Sequence, residues 1–277
     1  MKTLYGVIGN PIAHSMSPIM HNDAFQERDI DAHYQPFLVD SEELGETVRA
    51  LKVLGVKGFN VTIPHKQAII PLLDEVDPLA KAIGAVNTVV RRDGRFVGYN
   101  TDGMGFLRSL KENCPFPLEN KRVLLIGAGG AARAIFYSLA ASGFEYIDIC
   151  NRTPERGEVI IEECPFVCTA SSLSLTQAEQ TLENYDIIIQ TTSVGMFPEV
   201  NDVPLRVDKI KKGAFVSDII YNPPLTKIIR RFRELGGHGE NGIGMFVHQG
   251  ALAFELWTGV KPDSERMKNI VQQHLGG

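Results

Sequence analysis

Residues 127–133 read GAGGAAR, and Gly127, Gly129 and Ala132 fall at the spacing G-x-G-x-x-A. The first glycine suits a tight turn, and the second lets backbone come up against a pyrophosphate. The small third residue lets a helix pack closely on a strand. Amides and partial positive charge at the start of that helix would then hold phosphate oxygens. A strand-like run over 122–126 precedes the motif, an alanine-rich helical stretch follows, and a second strand is expected over 146–151. This context favours a bound dinucleotide over a structural turn. The second strand ends CNRTPER, so Asn151 and Arg152 stand where an NAD site wants a carboxylate, with Thr153 and Arg156 just beyond. Guanidinium groups suit a 2′-phosphate, which favours NADP over NAD. Arg152 and Arg156 also read as a solvated helix start, but cations there oppose the helix dipole. Asp148 lies too early in the strand to serve, and an inward-facing acid there is costly.

A second group of polar residues sits at the ends of expected strands, in NPIAHSMSP (10–18), NVTIPHK (60–66), GAVNTV (84–89) and NTDG (100–103). A fifth segment, GIGMFVHQGALAF (242–254), opens the C-terminal helical part. Ser15 and Ser17 lie two apart before a helix, and two hydroxyls with a helix N-terminus can hold a carboxylate without an arginine. Ser17 also reads as a plain N-cap, whereas Ser15 has no capping role. Gln249 lies on an apolar helix, where a buried amide needs partners. Thr62 doubles as a strand-end residue, Asn87 as a turn residue, Lys66 as a solvated helix-start lysine and Asp102 as an N-cap.

These five segments, with GAGGAAR and CNRT between them, resemble shikimate dehydrogenase, the NADP-dependent enzyme family of aromatic amino-acid (chorismate) biosynthesis, nearly end to end. The resemblance implies an α/β fold of two lobes. An N-terminal α/β substrate-binding domain, 1–103, would be completed by C-terminal helices in 240–277. A Rossmann-like, doubly wound NADP-binding domain would occupy 104–239. The implied reaction is reversible reduction of 3-dehydroshikimate to shikimate. Substrate contacts carried over are Ser15, Ser17, Thr62, Lys66, Asn87, Asp102 and Gln249, with Tyr221 nearby. The cofactor would be lined by Gly127, Ala128, Gly129, Gly130, Ala131, Asn151, Arg152, Thr153, Arg156, Ile219 and Gly242. Lys66 is expected to act as acid and base at the ketone oxygen, with Asp102 orienting it and the substrate hydroxyls. His65 is assigned no role and is expected on the loop surface, and Met16 is expected to pack. TTSVGM (191–196) resembles the family's loop beside the nicotinamide and equally suits an ordinary strand exit. Two rival readings are a quinate-oxidising or NAD-using relative, and a catalytically silent NADP-binding sensor.

The elements that must position these residues follow from hydrophobic periodicity. The first hundred residues alternate strands (TLYGVIG, HYQPFLV, GFNVTIP) with helices (SPIMHNDAFQERD and SEELGETVRALKVL, capped by Ser17 and Ser41). Pro36 marks an edge strand, and Asp93-Gly94 a hairpin turn. A proline-bearing connector is expected over 111–121. A second series then runs strand 122–127, helix 130–142, strand 146–151, helix 153–163, strands 186–190 and 214–219 and helix 225–235, which argues for a parallel sheet. GGHGENG breaks that pattern, and two helices close the chain.

At 277 residues the chain suits two domains. A net charge of −5 offers no basic field for nucleic acid. No apolar run approaches a membrane span, and the start does not read as a signal peptide. The four cysteines, Cys114, Cys150, Cys164 and Cys168, form no CxxC pair, and His14 and His21 lack zinc-ligand spacing. They read as reduced thiols of a cytoplasmic protein without a metal, with a small-molecule substrate, and either monomeric or homodimeric.

Overall fold

The computed structural model describes residues 2–276. They form two compact units, Met1–Gly105 with Val247–Gly277, and Phe106–Phe246. The crossings fall inside two helices rather than in the proline-bearing connector, whose first residues are helical.

The first unit is built on a six-stranded mixed sheet. Its elements are β1 (Thr3–Gly9), α1 (Ser17–Glu27), β2 (Ala32–Leu38), α2 (Leu44–Val53), β3 (Gly58–Val61), β4 (Glu75–Val76), α3 (Pro78–Ile83), β5 (Thr88–Arg92) and β6 (Arg95–Tyr99). The strand order is β2-β1-β3-β5-β6-β4. Strands β1, β2 and β3 run parallel, and β5 pairs antiparallel with both β3 and β6. Pro36 therefore lies on an edge strand, where its missing N–H breaks no interior ladder. Asp93 (φ 48°) and Gly94 (φ 80°) both adopt left-handed backbone, as a tight two-residue hairpin turn requires. Helix α4 (Asp102–Asn113) begins in this unit.

The second unit holds β7 (Arg122–Ile126), α5 (Gly130–Ala141), β8 (Tyr146–Cys150), α6 (Glu155–Glu162), β9 (Ser172–Leu173), α7 (Leu175–Thr181), β10 (Ile187–Gln190), β11 (Phe215–Asp218), α8 (Lys227–Glu234) and β12 (His238–Glu240). Its sheet is wholly parallel, in the order β12-β11-β10-β7-β8-β9. The order reverses between β7 and β10, the switch point at which doubly wound sheets bind ligands beyond their carboxyl ends. Residues 238–240 form an edge strand where the sequence pattern reads as broken, because pairing with β11 creates a strand that local propensity does not.

Helix α9 (Ile243–Thr258) carries the chain back to the first unit, and α10 (Ser264–Gly276) follows. In the first unit Phe254 packs 5.0 Å from Phe25, and Trp257 lies 5.2 Å from Tyr5. Trp257 also donates to the Val89 carbonyl at 2.9 Å. Among the described residues, no helix is long and apolar enough to cross a membrane.

Candidate functional site

The polar cluster of the first unit centres on Lys66, whose Nζ donates to Asp102 Oδ2 at 2.6 Å. The other carboxylate oxygen accepts from Asn87 Nδ2 at 2.8 Å. Asn87 is itself fixed. Its Oδ1 accepts from the Thr101 backbone at 2.8 Å and from Thr88 Oγ1 at 3.1 Å, and its Nδ2 lies 3.5 Å from Gln249 Oε1. An amide held at both ends cannot flip, so the carboxylate beside it has one orientation.

Each member is placed by a different element. Lys66 lies in the turn after β3, anchored by its carbonyl, which accepts from Val86 N at 2.8 Å. Asn87 immediately precedes β5, and Asp102 opens α4. Gln249 lies on α9, which approaches α4 closely at Gly105. A β-carbon there would meet Gln249 N at 2.6 Å, so only glycine permits this approach.

The network continues into the core through residues that sequence reasoning missed. Asn60 Nδ2 donates to the Asn87 carbonyl and to Thr88 Oγ1, both at 3.1 Å, while its Oδ1 accepts from Tyr34 OH at 2.7 Å. Burial raises the phenol pKa of Tyr34, and a hydrogen bond from Ser17 opposes that rise. Ser17 is thereby tied to Asn87 and Asp102 through two buried side chains. Asn60 and Thr101 both stand in the polar strand-end segments, which was their signal. Tyr34, in an ordinary strand pattern, gave none.

Several expected placements are corrected. Ser17 is not an N-cap. It is the first residue of α1, Met16 holds the cap position without a side-chain bond, and Pro18 is the second helical residue. Ser15, given no capping role from sequence, accepts from the Ser17 backbone N–H at 3.3 Å. Ser41 does not cap α2, because a short 3₁₀ turn over Ser41–Glu43 intervenes. His65 is not on the surface: it is buried, with Nε2 2.8 Å from the Val39 carbonyl, and packs the turn that presents Lys66. Thr62 is half-buried after β3, its backbone N–H bonded to Ile8 O at 3.0 Å.

In the second unit, register brings the expected cofactor residues to one edge. Ile126 pairs with Cys150 and with Gln190, and Gln190 pairs with Asp218. The residues that follow are Gly127, Asn151, Thr191 and Ile219, all at the carboxyl end of the sheet. Gly127 has φ 109°, and a β-carbon there would meet Thr191 Oγ1 at 2.7 Å. Gly129 caps α5, and β-carbons at Gly129 and Gly130 would meet nothing within 4 Å. The helix start is thus an open cradle fit for a pyrophosphate. Ala132 is fully buried against the sheet. Asn151 donates to the Thr153 carbonyl at 2.9 Å, and Arg152, Thr153 and Arg156 are exposed. Asp148 is offset where it stands: it accepts from Tyr185 OH and from Ser171 N, each at 2.8 Å. The TTSVGM loop is held by the buried Gln190, whose Nε2 donates to the carbonyls of Thr192 (3.1 Å) and Val194 (3.0 Å). Tyr221 belongs to this unit, its ring 5.6 Å from that of Phe246.

None of the four cysteines is disulfide-bonded, and burial pushes the Cys150 thiol up to about 12. Among the described residues, no cluster of three or more His, Cys, Asp or Glu is arranged to hold a metal ion.

Three family descriptions match this chain: "Shikimate dehydrogenase substrate binding domain" over residues 7–89, "Shikimate / quinate 5-dehydrogenase" over 109–219, and "Shikimate 5'-dehydrogenase C-terminal domain" over 242–272. A shikimate dehydrogenase (NADP(+)) of Bacillus cereus (strain AH187) is 58% identical over 277 residues, covering 100% of both chains. A Listeria monocytogenes shikimate 5-dehydrogenase, solved with shikimate and NAD, superposes with TM-score 0.93 at 35% identity, covering 98% of this chain and 96% of that one. The Thermus thermophilus shikimate 5-dehydrogenase, solved with NADP(H) and shikimate, gives TM-score 0.88 at 34% identity, covering 98% and 99%.

Proposed function

The chain belongs to the shikimate dehydrogenase family, and from that membership we propose how its own residues carry the reaction. It is an NADP-dependent oxidoreductase of aromatic biosynthesis, interconverting 3-dehydroshikimate and shikimate. Bound NADPH supplies the hydride. Reduction leaves negative charge on the ketone oxygen, and the Lys66 ammonium stabilises that charge and delivers the proton. In the oxidation direction neutral lysine takes the proton from the hydroxyl. The observation that carries this reading is the 2.6 Å contact between Lys66 Nζ and Asp102 Oδ2, with the second carboxylate oxygen held by Asn87. A carboxylate so fixed aims the ammonium and presents an acceptor to substrate hydroxyls.

Ser15 and Ser17 hold the substrate carboxylate. The Ser15 oxygen already accepts the Ser17 amide, which leaves its own proton to donate. The Ser17 hydroxyl turns from Tyr34 to the carboxylate when substrate arrives. Gln249 and Thr62 meet ring hydroxyls. Gly127, Ala128, Gly129, Gly130 and Ala131 cradle the pyrophosphate, and Arg152 and Arg156, with Asn151 and Thr153, take the 2′-phosphate. Ile219 and Gly242 line the cofactor, and Tyr221 is the further residue assigned to the substrate. The residues 1–105 with 247–277 act as the substrate unit, and 106–246 as the NADP unit.

The test is the shikimate-dependent formation of NADPH, read by its ultraviolet absorbance, in wild type and Lys66→Ala. The substitution is expected to lower kcat by roughly 10²-fold or more with a smaller effect on KM. Near-wild-type kcat would remove Lys66 from the mechanism. Run against quinate, the same assay is expected to give the higher kcat/KM with shikimate.

A further inference from the structure

We propose that Asp218 and Thr226 form a buckle that positions the loop 219–225, and with it Ile219 and Tyr221, for ligand binding. This rests on the ligand roles given above to those two residues.

Asp218 ends β11 and is fully buried. Its Oδ1 accepts from Ile220 N at 3.0 Å, and its Oδ2 accepts from Thr226 Oγ1 at 2.6 Å. The second bond spans the loop and joins its two ends. Thr226 sits at the N-cap of α8 with φ −73° and ψ 162°, the backbone in which a threonine hydroxyl ordinarily bonds the first helical amides. It makes no such bond, because its hydroxyl is turned to Asp218.

Two local rules are therefore set aside at one place. A carboxylate is buried without an ion-pair partner among the described residues, and a helix gives up its side-chain cap. Burial pushes the Asp218 carboxyl up to about 6, so the ionised buckle is held against a desolvation cost. The two hydrogen bonds offset part of that cost, and a place where local rules are set aside in this way is where a functional constraint is expected.

The middle of the loop is held by its neighbours. The Ile220 carbonyl accepts from Gly242 N at 2.9 Å, and the Asn222 carbonyl from Phe197 N at 3.1 Å. The Pro224 carbonyl accepts from Asn241 Nδ2 at 2.9 Å. A β-carbon at Gly242 would come 1.9 Å from the Ile219 carbonyl oxygen, so no side chain fits there without displacing that carbonyl. The buckle closes the ends that these contacts leave open. Gln190, in register with Asp218, treats the loop after β10 in the same way.

The experiment uses the full-length protein with Thr226→Val, Thr226→Ser and Asp218→Asn. Valine keeps the shape of threonine and removes the hydroxyl. Serine restores the hydroxyl. Asparagine keeps both contacts without charge, its oxygen accepting from Ile220 N and its amide donating to Thr226 Oγ1. Backbone hydrogen exchange, the NADPH dissociation constant and KM for shikimate are measured. In Thr226→Val, amides of 219–225 are expected to exchange about tenfold faster or more while those of β10 stay unchanged, with both binding constants raised. Thr226→Ser and Asp218→Asn are expected to return all three toward wild type. Wild-type exchange in Thr226→Val would overturn the buckle. Faster exchange with unchanged binding constants would overturn the positioning role. It would locate the failure in the ligand assignments of Ile219 and Tyr221, since the Lys66→Ala assay does not depend on them.

Discussion

Lys66 keeps about a third of its side chain open to solvent (32%), while the Asp102 carboxylate beside it is largely covered (14%). The ammonium can thus exchange protons with water while its aim is fixed by a group that cannot move. On the cofactor side, Arg152→Ala is expected to weaken NADPH binding by about tenfold or more, with little change for NADH, because a guanidinium pairs with the 2′-phosphate and with nothing in its place. Equal losses in titrations with the two cofactors would exclude that role. Lys66, Asp102 and Asn87 each have an ordinary local reading, as a helix-start lysine, an N-cap and a turn residue, and only the set of segments they stand in singles them out. Gln249 stands out by itself as an amide on an apolar helix, and the structure brings the four together. Tyr34 was not legible. A tyrosine in an alternating strand has an ordinary packing role, and its bond to Asn60 depends on two strands meeting through a third. His65 reads as surface because polarity beside a proline suggests it, whereas the ring is buried with Nε2 on the Val39 carbonyl and Nδ1 without a partner.

Helices α4 and α9 do for the site what no single residue can: they bring Asp102 and Gln249 to the same amide of Asn87. Gly105 sets their separation. Gly105→Ala would place a methyl 2.6 Å from the Gln249 backbone. Overpacking of this kind costs about 1–3 kcal/mol, visible in urea unfolding, and kcat should fall with it as Asp102 is pushed off Lys66. An alanine variant with wild-type stability and kcat would show that the approach has slack. Elements with strong local signals were readable: the Asp93-Gly94 hairpin, the strand, turn and helix around Gly127, and the proline-marked edge strand β2. Those that exist only by pairing were not. Strand β12 is three residues long, contains Gly239 and forms because β11 offers an open edge. Strand β9 and helix α7 lie in a polar stretch with little hydrophobic period, and the one local signal there is the Ser174–Gln177 capping box that fixes the helix start.

Across the whole molecule, the charge state of buried groups links the fold to pH. His21 is fully enclosed, stacked 4.5 Å from Tyr34 and 5.2 Å from the tilted ring of Trp257, with neither ring nitrogen hydrogen-bonded. Burial lowers its pKa to about 3. The unfolded chain takes up this proton near pH 6.5 and the folded chain only near 3, so the unfolded state binds more protons within that window. Stability therefore falls as pH drops from about 6.5 to about 3 and is flat in this group below it. By pH 4 the loss is of order 3 kcal/mol. His21→Phe, which keeps a ring among rings, is expected to flatten that part of the acid limb in denaturant unfolding followed from pH 7 to 4. A variant whose stability falls as steeply as wild type would place the acid sensitivity elsewhere.

The chain leaves the first unit at Gly105 and re-enters it at Val247. On the ribosome this separates the order of synthesis from the order of completion. The nucleotide-type unit is one uninterrupted stretch and is wholly synthesised before the first unit is complete. Until Phe254 and Trp257 are translated, the Tyr5 face of the earlier-made sheet has only the cover that α1 gives it through Phe25. A chain that ends before them carries its lysine and aspartate but lacks the two rings that complete the seam, so premature termination near the end is expected to leave part of the first unit's core uncovered rather than a slightly shortened enzyme.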